Sequence, residues 1–86
     1  MTSNLFFRMN LHMKNTTPMK ALRNALGGTQ YDIAFQIGVD HTLICHAERG
    51  KGLGRQTTLA ICDVYAAEMG RLKLTAEDFL RGEIAA

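Results

Sequence analysis

One run of small, glycine and apolar residues constrains this chain more than anything else in it. The run is Thr29-Gln30, then Ile33-Ala34, then Ile37-Gly38-Val39, with Ile44 and Glu48 beyond. Gly38 predicts a tight bend between two short helices, because glycine enters left-handed backbone without a Cβ penalty. Ala34 is small enough to let those helices cross closely, while Ile33, Ile37, Val39 and Ile44 lock the angle from behind. The second helix then projects as a rod sized for the major groove of DNA.

Length limits what can surround that unit. At 86 residues the chain is expected to be one domain with a small core, and cores of this size often gain stability from a partner subunit. Its apolar runs are too short to span a bilayer, and Leu5–Phe7 lacks the apolar stretch of a signal peptide. Cys45 and Cys62 form no C-x-x-C pair, so free thiols in a reduced cytoplasm are expected.

Net charge is only +2, but it is unevenly spread. Residues 1–55 carry Arg8, Lys14, Lys20, Arg23, Arg49, Lys51 and Arg55 against Asp32, Asp40 and Glu48. Residues 56–86 reverse the balance, with three basic against five acidic side chains. A positive face on the first two-thirds suits a polyanionic partner.

Most of the chain reads as helix. Thr17-Pro18 is a cap followed by proline at the first helical position, opening a helix through Lys20–Leu26 that ends at Gly27-Gly28. Thr29 caps a second helix, about Gln30–Ile37, and Asp40 a third, about His41–Glu48, stopping at Gly50. The Gly50-Lys51-Gly52-Leu53-Gly54 loop is expected to be flexible and basic. A fourth helix is expected from about Gln56 to Met69, with Leu59, Cys62, Tyr65 and Met69 on one face. Thr75-x-x-Asp78 is a capping box for a fifth, about Ala76–Arg81, whose Phe79 and Leu80 can close the core.

The first 16 residues form a separate arm ahead of a domain at 17–86. Leu5, Phe7, Met9, Leu11 and Met13 alternate with polar residues, which predicts a β-strand. A helical alternative stays open, since Leu5, Met9 and Met13 are also spaced by four. A lone strand cannot satisfy its own backbone, and no second candidate strand exists. Pairing with the same strand of another copy would give an intermolecular ribbon and a homodimer. A disordered leader, and a strand folded over its own domain with Tyr31 and Phe35 as an apolar resting place, are the competing arrangements.

Along Arg23 to Gly50 the chain resembles the Cro/repressor (Xre-like) helix-turn-helix family of temperate bacteriophages and bacterial regulators. The residues that carry the likeness are Leu22-Arg23, Gly27, Thr29-Gln30, Ile33-Ala34, Gly38-Val39, Ile44, Glu48 and Gly50. Gly28 and Ala47 depart from the pattern, where larger apolar side chains are usual. The resemblance implies an all-α fold, a compact five-helix lambda-repressor-like domain here preceded by the β-strand arm. It also implies sequence-specific binding of a double-stranded, palindromic DNA operator as a homodimer, in the manner of a small Cro-like repressor.

The same resemblance assigns roles. His41, Thr42 and His46 would face base edges, with Leu43 or Cys45 adding apolar contact to a thymine methyl. Thr29 and Gln30, at a helix N-terminus with free amides, would meet phosphate, as would Arg49, Lys51, Arg55 and Gln56 around the end of the third helix. Arg23 and Glu48 would form a structural ion pair.

Other chemistries fit less well. His41 and Cys45 lie one turn apart, but the four-ligand spacing of structural zinc is missing, so no metal or other cofactor is expected. Gly50-x-Gly52-x-Gly54 follows a helix and lacks a Lys-Ser/Thr ending, so it is no phosphate loop. An enzyme is not expected. The alternative is a protein-interaction module of the same fold, antitoxin-like or an anti-repressor.

Overall fold

Four of the six described helices start at a side-chain cap lying within one turn. In the computed structural model, which describes residues 16–84, Thr17 caps α1 (Pro18–Leu26) by accepting the Lys20 amide at 3.3 Å. Thr29 and Asp32 close a reciprocal capping box on α2 (Gln30–Ile37), and Asp40 caps α3 (His41–Glu48) by accepting the Thr42 amide. A second capping box, Thr75 with Asp78, opens α6 (Ala76–Arg81). These caps satisfy amides that have no partner within the helix. Gly38, at φ 73°, makes the left-handed bend after α2, where the Val39 amide reaches back to the Ala34 carbonyl at 2.9 Å.

Six helices are present, and no strand occurs among the described residues. The strand expected over Leu5–Met13 lies outside them. The additional helix comes from a break in the expected fourth one. The chain leaves helical geometry at Tyr65 (φ −115°, ψ 32°), separating α4 (Arg55–Val64) from α5 (Ala66–Leu72). The break costs no backbone bonding at that point, because the Tyr65 amide still reaches the Ile61 carbonyl and the Met69 amide the Tyr65 carbonyl, each at 2.9 Å. It lets α5 turn back onto α1 while α4 packs on α2 and α6. The buried face therefore differs from the one expected: Thr58, Ile61, Tyr65 and Met69 are inside, Cys62 is half-buried, and Leu59 is exposed.

All six helices share one apolar cluster. Met19 and Leu22 of α1, Ile33 of α2, Ile44 of α3, Ile61 of α4 and Phe79 of α6 are its most enclosed members, and Met69 joins from α5. Burial of each such side chain is worth about 1.5–3 kcal/mol. Leu80, expected beside Phe79 in the core, is instead exposed.

Candidate nucleic-acid interface

The inward face of α3 fixes where its outward face points. Ile44 and Ala47 are buried against the cluster, and small Ala34 on α2 is buried where the two helices meet. The far end of α3 is tied to α1 twice. Arg23 grips the Glu48 carboxylate with two donors, Nε to Oε2 and Nη2 to Oε1, the latter at 3.0 Å. The Thr17 hydroxyl donates to the Glu48 main-chain carbonyl at 3.1 Å, a second task for a residue that the sequence marks only as a cap. The hydrogen bonds to Glu48 push the Arg23 guanidinium above its ordinary pKa, so Arg23 stays charged.

On the outward face, Thr42, Leu43 and His46 are exposed, and the described chain leaves them uncovered. His41 and Cys45 are only half-exposed. The His41 ring is stacked on Tyr31 of α2, with centroids 4.3 Å apart, and its Nδ1 lies 3.2 Å from Asp40 Oδ1. The place of His41 on this face follows from its position in α3, but neither contact is visible in the sequence. No short-range spacing relates Tyr31 to His41, and only the crossing of α2 and α3 brings them together.

The other candidate contacts divide into two sets. At the start of α2, Thr29 is engaged with Asp32 on both sides, its amide donating to Oδ2 at 2.8 Å and its hydroxyl accepting the Asp32 amide. The capping carboxylate thus occupies part of the site that free amides would offer a phosphate. Gln30 flanks an open groove of about 310 Å³ shared with Arg23, Thr29 and Tyr31.

Beyond α3, Arg49, Lys51 and Arg55 are exposed and follow one another around the loop into α4. Gln56, grouped with them in sequence, lies elsewhere: it lines a groove with Ile37, Gly38 and Val39, beside the turn that precedes α3.

The glycine-rich loop, expected to be flexible, is stitched to α6. The Leu53 amide donates to the Phe79 carbonyl at 2.9 Å, Leu53 itself is buried, and the Lys51 amide reaches the His46 carbonyl at 3.1 Å. Gly52 and Gly82 are the reason this fits. A Cβ on Gly52 would overlap the Leu80 carbonyl oxygen, and one on Gly82 (φ 81°) would overlap the Gly50 carbonyl oxygen. Two backbones thus meet with nothing between them, and the loop's cations are carried on a braced frame. Leu5, Phe7, Met9, Leu11 and Met13, the candidate dimerisation residues, lie outside the described residues.

No family model, curated protein or solved structure matches the chain. None of the helices among the described residues is long and apolar enough to cross a membrane.

Proposed function

We propose that the protein is a sequence-specific DNA-binding transcriptional regulator, a repressor of the phage Cro-like kind. It would bind a palindromic operator as a homodimer, with α3 in the major groove. One observation carries this most: the described residues leave the face of α3 bearing Thr42, Leu43 and His46 uncovered, while its other face is anchored in the core. Beside it stand three exposed cations, Arg49, Lys51 and Arg55, on braced backbone. Thr42 and His46 offer hydrogen-bonding groups and Leu43 a methyl contact, the chemistry needed at base edges. Flanking cations supply the sequence-independent attraction to phosphate. The family resemblance of residues 23–50 points the same way.

Selection of bound sequences from random DNA, with the mass of the complex determined, tests the proposal. A symmetric motif bound by two copies is expected, along with salt-sensitive affinity. Replacing Arg49, Lys51 or Arg55 singly by Ala should flatten the salt dependence by about one unit of slope for each phosphate that then goes unneutralised, without changing the preferred sequence. Enrichment of no sequence would refute it. The dimer is proposed to form through the ribbon of residues 5–13, so deletion of residues 1–14 should give a monomer by sedimentation. A truncated chain that remains dimeric would rule the ribbon out.

A second reading has one observation in its favour. Phe35 is 84 % exposed on the outer side of α2, with Tyr31 one turn away at 63 %. An apolar pair of this kind suits a protein partner. On that reading the chain is an antitoxin-like or anti-repressor module, and micromolar DNA binding without sequence preference would support it.

A further inference from the structure

Among the described residues, the two large apolar side chains most open to solvent stand together on α2. Phe35 is 84 % exposed, and Tyr31, one turn before it, 63 %. Tyr31 is stacked on His41, which puts this pair beside the start of α3. The described chain begins at the other end of α3, where Thr17, next to the first described residue Thr16, donates to the Glu48 carbonyl. Eight residues at 1.5 Å each separate the ends of α3 by roughly 11 Å. Extended chain covers about 3.3 Å per residue, so the step from Met13 to Thr16 already spans most of that distance.

We propose that residues 5–13 of each subunit lie on that subunit's own Tyr31–Phe35 face, and that this packing and the intermolecular ribbon form as one event. This rests on the ribbon reading of the homodimer and adds what covers the ribbon's apolar side. In a strand, Leu5, Phe7, Met9, Leu11 and Met13 share one side, while the backbone donors and acceptors lie along the edges. An edge can therefore pair with the partner's arm while the apolar side rests on α2. The spacings match: same-side strand residues recur about every 6.7 Å, and residues one helical turn apart about every 6 Å. Neither contact suffices alone. A two-stranded ribbon is marginal in water unless it packs on something such as a helix, and a single strand on a helix leaves its backbone unpaired. Arg8, Asn10, His12 and Lys14 then face solvent, and Phe35 is covered by its own chain rather than by a foreign protein.

Two experiments on the full-length chain test this. A photoreactive benzoylphenylalanine in place of Phe35, irradiated in the dimer, should join to residues 5–13 in a product of single-chain mass, mapped by mass spectrometry. Sedimentation equilibrium of Phe35→Ser should show dimerisation weakened by about tenfold or more, from the loss of one aromatic contact in each subunit. Phe35 lies outside the core, so the variant should keep the parent's helical circular dichroism. Leu59→Ser removes another exposed apolar side chain, 55 % exposed on α4, and should dimerise as the parent does.

Cross-links to residues outside 5–13, a two-chain product, or a Phe35→Ser chain that dimerises as tightly as the parent overturns the packing. If deletion of residues 1–14 still abolishes the dimer, the ribbon reading survives that result. A dimer that persists in the deleted chain overturns the ribbon and the packing together.

Discussion

Loss of Arg23 should harm this fold more than loss of Glu48, even though the two form a single ion pair. The Glu48 side chain retains only 8 % of its exposure, against 25 % for Arg23. Breaking the pair removes two charge-assisted hydrogen bonds, each worth about 1.5–3 kcal/mol when buried and less where water reaches them. Glu48→Ala leaves a long cationic side chain that can slide its head into solvent, so about 2 kcal/mol is expected. Arg23→Ala instead strands a nearly buried carboxylate, and its uncompensated desolvation raises the loss to about 3–4 kcal/mol.

A chain of 86 residues has roughly 4–13 kcal/mol of total stability, so either loss is large. Thermal unfolding followed by circular dichroism would read them as falls of about 10 °C and about 20 °C. The double variant should be little worse than Glu48→Ala alone, because nothing charged is then left behind. Two single variants within about 0.5 kcal/mol of the parent, with additive effects, would show the pair to be ordinary surface chemistry. Glu48→Ala as the worse of the two would refute the burial argument.

Three further substitutions probe other parts of the frame. Gly52→Ala should destabilise by about 1–3 kcal/mol or more in urea unfolding because its methyl meets the Leu80 carbonyl, whereas Gly54→Ala, with open space around it, should be tolerated. The buried Thr58 hydroxyl has no hydrogen-bond partner among the described residues, so Thr58→Val should stabilise by about 1 kcal/mol, and destabilisation would reveal a bond to that hydroxyl. Burial, with the nearby charges of Asp32 and Glu68, pushes the Tyr65 phenol above its ordinary 10.0. A raised folded-state pKa means the native state holds its proton longer, so stability present below about pH 10 is lost as pH rises beyond it. Tyr65→Phe should flatten that alkaline decline in pH-dependent melts.

Much of this protein is legible one turn at a time. Thr17-Pro18, Thr29 with Asp32, Asp40, and Thr75 with Asp78 mark helix starts because each cap bonds an amide two or three residues away. Gly27 and Gly38 mark helix ends because their positive φ is a property of the residue itself. The Arg23–Glu48 pair is legible only through family likeness, since 25 residues separate its members.

What the sequence could not reveal depends on contacts between distant segments. Tyr65 breaks a helix without glycine or proline, and beyond the break α5 packs on α1 with Met69 buried. Glycines 50 to 54 look like slack until Gly82 is brought against them, and then the same lack of side chains makes the loop tight. Tyr31 becomes the support of His41 only when two helices cross. Local hydrogen bonding and backbone preference thus determined the elements from sequence alone. Close packing across the fold decided which side chains each element buries and which it presents to a partner.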